Sequence, residues 1–316
     1  TCALPILRIV IKNTDRDSLA FAADFIVKRI NVFQPSDDKP FTMVLPNPSP
    51  LTAPLFTNLV ESYRSGEVSF QHVFFFQLEE YRGIDKTDPR SFAYQLYEAF
   101  FKHVDVVAKH VFFLNGVARD YEQECAYFEA AIQNLGGIQL FVADVNSDGS
   151  IGGNTPGSSL EGRTRQKTLT AFILNECTIS RLDCESSVDY PCSVESNYVL
   201  TMGIGNMMES HEVLALFLGT ERARALHHVV EEPVMNLFPA SMLQYHQRVC
   251  IVCERFALSM LRFTNVEYFV GLLDNYNTVN NLESSIGFNT LTPPPDTSEP
   301  LNPVSVDPDH RRAFLS

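Results

Sequence analysis

The chain has 316 residues, 45% of them hydrophobic, which is enough to bury the core of one large domain or two small ones. The formal net charge of −14 and an isoelectric point of about 5.0 should repel nucleic acid and anionic membrane surfaces, so we expect neither as a partner. No apolar run approaches the length of a membrane span, and the N-terminal segment lacks the charged start and cleavage pattern of a signal peptide.

Short apolar runs rich in β-branched and aromatic residues recur along the chain and predict buried strands. They span residues 6–11, 42–45, 73–76, 138–143, 199–204, 213–218 and 249–253. Apolar residues at helical spacing over 19–33 and 121–135 predict helices, and Gly136 and Gly137 end the second one. Strands that are apolar throughout and alternate with helices are typical of an α/β fold with a doubly wound, mostly parallel sheet and helices on both faces.

The end of the chain differs in composition from the rest. Residues 285–316 are rich in proline and poor in periodic apolar residues, which predicts an extended tail. We therefore expect a single α/β domain over residues 1–284.

The cysteines are best interpreted as thiols. Their number, seven, is odd, which is most simply explained by a reduced, cytoplasmic chain. Cys250 and Cys253 form a CxxC pair inside a predicted strand, where residues three apart point to opposite faces. Two buried thiols are therefore a better interpretation than a zinc site.

Ligands of open parallel sheets bind beyond the carboxyl ends of the strands, so the loops after the predicted strands form the candidate site. These loops are 46–50 (PNPSP), 77–81 (QLEEY), 144–150 (DVNSDGS), 203–206 (GIGN) and 219–223 (GTERA). Glu79 and Glu80 directly follow a buried strand. They can include a general base with a raised pKa, or they can be a solvated pair, and the residue types leave both interpretations open.

The loop after the fourth predicted strand matches part of a calcium-binding pattern. Asp144, Asn146 and Asp148 stand at positions 1, 3 and 5, and Gly149 stands at position 6. Position 12 is Thr155, where the pattern needs a bidentate glutamate, and the segment before the loop is a predicted strand rather than a helix. These departures weigh against calcium, and we expect no resident metal or cofactor.

A cluster of hydroxyls and cations follows this loop. The segment SSLEGRTRQK includes Ser158, Arg165 and Lys167, in a chain whose net charge is strongly negative. Such a group suits a phosphate monoester, and a solvated charged turn is an equally good interpretation of these residues alone. Arg181 and Arg222, in or near other candidate loops, would add to an anion site.

Several segments, in order and at specific spacing, resemble the glucosamine-6-phosphate deaminase (isomerase) family. They are LVESYRSGEVSFQHV, QLEEYRGI, FFLNG, SSLEGRTRQKTLT, SR at 180–181, LTMGIG and LGTERARAL, and together they cover about residues 18–273. The resemblance implies a modified Rossmann-like fold that commonly assembles as a hexamer. It also implies a reaction that opens the ring of glucosamine 6-phosphate, moves a proton between C2 and C1 and releases ammonia to leave fructose 6-phosphate.

The resemblance further implies an anion pocket and a carboxylate base, and both depart from the family pattern here. The phosphate loop of the family reads LPTGGTP or LPTGSTP, whereas this chain has LPNPSPLTAP, in which Pro48 and Pro50 remove two amide donors. The base is an aspartate in the family and Glu79 here, one methylene longer. Arg222 stands where the family has an anion-pocket lysine, and Arg181 matches the family.

The catalytic block departs further. The family reads GxGxDGHxxxNEP, and this chain reads DVNSDGSIGGNTP. Asp148 is kept, Ser150 stands at the position of a histidine that helps ring opening, and Thr155 stands at that of the glutamate that orients it. A serine hydroxyl cannot exchange protons near neutral pH as imidazole does. Asp144 and Asn146 replace glycines.

A second anion site is better kept. Ser158, Arg165 and Lys167 match the family residues that bind the phosphate of an effector, N-acetylglucosamine 6-phosphate, between subunits. Phe263 stands where a tyrosine often helps, and it lacks the hydroxyl. The segment over about 168–198, the lid in family members, is longer here.

Because the phosphate loop, the base, the histidine and its orienting acid all change, we expect a deaminase-like pseudoenzyme. It would lack or nearly lack deamination and act as a sugar-phosphate-responsive regulatory protein. Its expected partners are copies of itself, in a hexamer or a sub-assembly of it, and a carbohydrate-metabolism enzyme such as a hexose kinase or an active paralogue. The alternative is an active deaminase with rearranged chemistry, in which Glu79 and Asp148 act as acid and base and Arg181 and Arg222 hold the anion.

Overall fold

The structure of the protein is a computed structural model that describes residues 7–169 and 198–279. Its central sheet consists of the strands β1 (Leu7–Lys12), β2 (Phe41–Leu45), β3 (Val73–Gln77), β5 (Val111–Phe112), β6 (Leu140–Asp144), β9 (Glu212–Phe217) and β10 (Val249–Glu254). Within the described ranges these strands are all parallel and lie in the order β1-β10-β9-β6-β2-β3-β5. The predicted parallel α/β sheet is confirmed.

Helices cover both faces of this sheet, as predicted. They are α1 (Asp15–Phe33), α2 (Ala53–Arg64), α3 (Phe92–Ala99), α4 (Tyr121–Asn134), α5 (Ile204–Glu209), α6 (Ala223–Glu231) and α7 (Phe263–Val279). Successive strand residues point to opposite faces, so Val10 joins the hydrophobic core that contains Leu19 of α1, whereas Ile9 joins the core that contains Phe128 of α4. Helices α1 to α3 contribute to the first core and α4 to α7 to the second.

The two helices predicted from apolar spacing are confirmed, and local capping explains their ends. The Thr14 hydroxyl caps α1 by accepting the N–H of Asp17 at 3.1 Å, and Gln34 ends the helix in the left-handed region with φ of 54°. The carboxylate of Asp120 caps α4, and Gly136 follows the end of that helix with φ of 80°.

A second sheet, of antiparallel strands, begins in the sequence just after β3 of the central sheet ends. It consists of β4 (Glu79–Tyr81), β7 (Arg165–Thr168) and β8 (Tyr198–Thr201), in the order β4-β8-β7. The strand predicted over 199–204 is thus wrong in two respects. It ends at Thr201, because the chain turns at Gly203 and begins α5, and it pairs antiparallel in a separate sheet. A Cβ on Gly203 would overlap the carbonyl oxygen of Gly162, so only glycine fits there. Part of the predicted loop 77–81 is β4.

The CxxC pair is buried in β10, as predicted. Cys250 belongs to the core on the α1 side of the sheet and Cys253 to the core on the α4 side. The two thiols therefore point to opposite faces and cannot share a metal ion.

Two predictions fall outside the described ranges. The tail over 285–316 and most of the segment 168–198, which includes Arg181, are among these residues, so the domain boundary at 284 stays a prediction. Across the described ranges, no helix has the length and apolar character needed to cross a membrane.

Candidate functional site

A pocket of about 300 Å³ opens at the carboxyl ends of β2 and β6. It is lined by residues of the loop 46–49 after β2, by Glu79 of β4, by residues of the segment 144–155 at the end of β6 and beyond, and by Arg222 after β9. A pocket of this size at the carboxyl edge of a parallel sheet fits a small ligand. Four of the five candidate loops contribute to it, and 203–206 does not.

Glu79 reaches the pocket from β4, where it pairs with Thr201 of β8. Its Oε1 accepts a hydrogen bond from the side-chain amide of Asn47 at 2.7 Å. Burial and the neighbouring charge of Glu80 raise the pKa of Glu79 to about 8, and the bond from Asn47 opposes that rise. A carboxyl group whose pKa lies this near neutrality can take up and return a proton, as a general base must.

Glu80 does not line the pocket and instead anchors β4 to α3. Its buried carboxylate accepts hydrogen bonds from the side chains of Gln77 at 3.0 Å and Ser91 at 2.6 Å. It also accepts the backbone N–H groups of Tyr81, Phe92 and Ala93. Burial raises the pKa of Glu80, and these bonds oppose the rise. The hypothesis of a solvated pair is therefore wrong, because Glu79 faces a pocket and Glu80 is inside the protein.

Asp144 ends β6 and faces Arg222, whose Nη2 lies 3.9 Å from Oδ2 of Asp144. The Nε of Arg222 donates to the carbonyl oxygen of Val145 at 3.1 Å, which fixes the guanidinium group. Burial raises the pKa of Asp144 to about 6, and the charge of Arg222 opposes that rise. The other oxygen of Asp144, Oδ1, is buried and has no hydrogen-bond partner in the described part of the chain.

The loop after β6 is held by its own polar groups. Asp148 accepts the N–H of Ser150 at 2.9 Å, and the side-chain amide of Asn146 donates to Oγ of Ser150 at 3.0 Å. Two residues of the calcium-like pattern thus have other contacts. The side chain of Asn146 donates a hydrogen bond within the loop, and the carboxylate of Asp144 faces Arg222. Within residues 7–169 and 198–279, no three candidate metal-ligating side chains lie together.

The loop after β2 uses several of its amide donors within itself. The N–H of Ser49 donates to Oγ1 of Thr52, and the N–H of Thr52 donates back to Oγ of Ser49. The N–H of Ala53 donates to the carbonyl oxygen of Ser49, and the prolines of the loop have no N–H group. The N–H groups of Ser49 and Thr52 are therefore not open to a ligand.

Ser158, Arg165 and Lys167 lie together beside the pocket. Lys167 donates to the hydroxyl of Ser158 and to Oγ1 of Thr155 at 2.8 Å, and Arg165 donates to Oδ1 of Asn154 at 3.0 Å. Burial and the charge of Arg165 lower the pKa of Lys167 to about 8. Because Thr155 also lines the pocket, it contacts both the pocket and this cluster.

Sequence reasoning placed Glu79, Asp148, Ser150, Thr155 and Arg222 at one site, and all five line the pocket. It missed the contacts that set their chemistry. The loop sequence LPNPSP showed only a departure from a glycine-rich pattern, and nothing in it predicts the contact between its asparagine and the candidate base. Phe263, which was compared with a tyrosine of the effector site, begins α7 and is exposed.

The parallel sheet, its helical layers and the polar pocket at its carboxyl edge define an α/β protein with a site for a small molecule. Among curated proteins, glucosamine-6-phosphate deaminases match this chain along most of its length. The protein of Drosophila melanogaster is 37% identical and matches over 88% of this chain and 98% of its own length. That of Treponema denticola is 36% identical, over 84% and 96%, and that of Glaesserella parasuis is 40% identical, over 81% and 94%.

Solved structures agree with these relatives. A structure described as a monomeric glucosamine-6-phosphate deaminase superposes with a TM-score of 0.71 at 26% identity, over 80% of this chain and 99% of its own. The 6-phosphogluconolactonase of Thermotoga maritima, 14% identical, reaches a TM-score of 0.60 over 79% of this chain and 100% of its own, which shows a shared fold alone. No protein-family model matches the chain. The chain belongs to the glucosamine-6-phosphate deaminase family.

This membership corrects the interpretation as a pseudoenzyme with a regulatory role. Relatives named as deaminases are 36–40% identical to this chain over most of its length, which favours the alternative, an active deaminase. The prediction gave too much weight to single substitutions in short motifs. Carboxylates still line the pocket, among them Glu79, whose pKa is raised to about 8.

Proposed function

We propose that this chain catalyses the isomerising deamination of glucosamine 6-phosphate to fructose 6-phosphate and ammonia. The observation that supports it most is the position of Glu79, a carboxyl group with a pKa of about 8 that faces a small-molecule pocket. The substrate is inferred from the relatives, which are named glucosamine-6-phosphate deaminases. Cofactor and metal have no part in the proposal.

Glu79 is the proposed base. In the open-chain sugar, Glu79 removes the proton from C2 while the aldehyde oxygen at C1 takes up a proton from the C2 ammonium group, which gives an enamine. Glu79 then returns its proton to C1, which leaves a protonated imine at C2. Water then adds to C2 and ammonia leaves, so the products are a ketose and ammonia. The base must be ionised to act, and the fraction of active enzyme therefore rises with pH through the pKa of Glu79.

Ring opening requires the removal of a proton from the hydroxyl at C1 and the delivery of a proton to the ring oxygen. We assign this transfer to Asp148, which lines the pocket and whose Oδ1 is held by the backbone N–H of Ser150. A carboxylate can act as the acid and base in such a transfer, whereas a serine hydroxyl does not exchange protons near neutral pH. Thr155 then has a binding role in the pocket wall.

The anionic end of the substrate is assigned to Arg222 and, outside the described residues, to Arg181. Ser158, Arg165 and Lys167 are proposed to bind an effector phosphate, and Thr155 links that cluster to the pocket through its contact with Lys167. We also propose that copies of the chain assemble. The solved relative described as monomeric makes the size of that assembly a question for light scattering.

The test is an assay of ammonia release from glucosamine 6-phosphate. We expect steady release by the wild type and a loss of a hundredfold or more in Glu79→Gln, which keeps the shape of the side chain but cannot accept a proton. Glu122→Gln, an exposed carboxylate on α4, is the matched control and should keep wild-type activity. Release by the wild type no faster than by Glu79→Gln would disprove the proposal.

A further inference from the structure

A second pocket, of about 470 Å³, lies at the edge of the central sheet opposite the candidate active site. Residues that begin five parallel strands line it: Leu7 of β1, Phe41 of β2, Leu140 of β6, Glu212 of β9 and Val249 of β10. The candidate active site lies at the other ends of β2 and β6, so the two pockets are about one strand length apart. The volume falls in the range of small-molecule sites.

Cations outnumber carboxylates among the described residues that line this second pocket. The lysine and arginine side chains are Arg8, Arg29, Lys39 and Arg248, and the carboxylate is that of Glu212. Glu212 is already engaged, because its two oxygens accept hydrogen bonds from Nε and Nη2 of Arg29 at 2.5 and 2.7 Å. The other cations gather here although the formal net charge of the chain is −14, so this pocket attracts an anion against the overall field.

Two of these cations, Lys39 and Arg248, are exposed and are held in place by neutral groups. The Nζ of Lys39 donates to the carbonyl oxygen of Phe33 at 2.8 Å and lies 4.1 Å from the centre of the Phe33 ring. The Nη1 of Arg248 lies 3.1 Å from Nε2 of His211, which is also exposed. Within the described part of the chain, neither cation forms an ion pair. An anion can therefore approach both charges without displacing a carboxylate.

Apolar side chains with accessible surface line the same pocket. Val32 and Phe33 come from the end of α1, and Phe269 and Leu272 come from α7. Val32 is 71% exposed, and the other three are half-buried. Removing such surface from water is favourable, so an apolar group that enters the pocket gains by covering it. The pocket thus offers apolar surface and positive charge to one ligand.

We propose that this pocket at the amino edge of the sheet is a second ligand site, which binds an organic anion with an apolar body. Lys39 and Arg248 bind the anionic group. Val32, Phe33 and Leu272 contact the apolar body. A ligand with one part alone would leave the charges or the apolar wall uncovered, so it binds more weakly. The site shares no lining residue with the candidate active site or with the cluster proposed for an effector phosphate, and it does not depend on the proposed deamination.

The test titrates the full chain with anilinonaphthalene sulfonate, an aromatic anion whose fluorescence rises in apolar surroundings. We expect saturable binding with a Kd below about 1 mM. The double variant Lys39→Gln, Arg248→Gln should weaken it roughly tenfold, because both charges that meet the sulfonate are removed. The matched control Lys109→Gln, Arg119→Gln removes two exposed charges outside the pocket and should bind as the wild type does. Equal affinities of the two double variants, at unchanged melting temperatures, would overturn the proposal.

Competition with three carboxylates tests the need for an apolar body. Displacement of the fluorescent probe by decanoate would show that an aliphatic body fits, and displacement by naphthoate that an aromatic body fits. Acetate, which has the same anionic group and almost no body, should not displace the probe at the same concentration. Displacement by acetate, or by none of the three, would overturn the proposal.

Two further variants test the place of binding. Arg165→Ala changes the cluster proposed for an effector phosphate, and Arg222→Gln changes the candidate active site. Both should bind the fluorescent probe as tightly as the wild type does. Weaker binding in either variant would assign the probe to that other site and overturn the proposal. None of these measurements depends on turnover of a sugar, so their failure leaves the proposed function standing.

Discussion

The side-chain amide of Asn47 donates a hydrogen bond to Oε1 of Glu79 across 2.7 Å, so the loop after β2 contacts the proposed base directly. In this chain the loop after β2 therefore stabilises the ionised form of a carboxylate. This bond and the charge of Glu80 act on the pKa of Glu79 in opposite directions.

Asn47→Ala should move the pH dependence of activity towards higher pH. The variant removes the hydrogen bond that favours ionised Glu79, so the pKa of Glu79 rises above about 8, by roughly half to one pH unit. The measurement is kcat/KM for ammonia release across pH, and Asn134→Ala, at the exposed end of α4, is the control. An unchanged midpoint would show that the bond does not govern the base.

Glu80→Gln should have the opposite effect. The charge of Glu80 raises the pKa of Glu79, so its removal lowers that pKa and moves the midpoint of the pH profile towards lower pH. The amide nitrogen of glutamine would also face groups that donate hydrogen bonds to Glu80, such as the side chains of Gln77 and Ser91. Because these donors would lose their acceptor, we expect the variant to have a lower melting temperature. A midpoint that moves upward would contradict the assignment of Glu80 as the charged neighbour.

Glu79→Gln should stabilise the fold increasingly as the pH rises. The pKa of Glu79 is raised from an ordinary 4.5 to about 8, so between these values the folded protein binds more protons than the unfolded chain. Stability from this group is therefore fully present below about 4.5 and is lost as pH rises towards 8. Because glutamine cannot ionise, the melting temperature of the variant relative to that of the wild type should rise between the two pH values. A constant difference would mean that Glu79 has an ordinary pKa.

The cluster of Ser158, Arg165 and Lys167 should bind N-acetylglucosamine 6-phosphate. We expect this sugar phosphate to raise the melting temperature of the wild type, since a ligand at 100 times its Kd adds about 2.7 kcal/mol of stability. Arg165→Ala should lose most of that shift, and the exposed Arg119→Ala should keep it. A shift that survives in Arg165→Ala would place the ligand elsewhere.

Gly203→Ala should destabilise the protein, because a Cβ there overlaps the carbonyl oxygen of Gly162. Overpacking of this kind typically costs about 1–3 kcal/mol. Gly271→Ala is the matched control, since nothing lies within 4 Å of its added Cβ and it stands inside α7. That control should gain about 0.5–1 kcal/mol through helix propensity. Equal effects in urea unfolding would contradict the close approach of α5 to residue 162.

The apolar runs and helical patterns along the chain were enough to predict the central sheet, its covering helices and the edge where the pocket lies. Apolar runs such as 73–76 and 249–253 can be buried on both faces only in a parallel sheet between helices, and this constraint is local in the sequence. The stop at Gly136 and the opposite faces of Cys250 and Cys253 follow from local rules in the same way.

Tertiary structure alone decided the chemistry of the pocket. Adjacent glutamates in one short strand separate into Glu79 in the pocket and Glu80 under α3 because successive strand residues point to opposite sides, and no motif showed that residues 79–81 form a strand. The partners of the pocket carboxylates, Asn47 and Arg222, are distant in the sequence. Burial and charge at such distances set pKa values, and neither is encoded in the spacing of a motif.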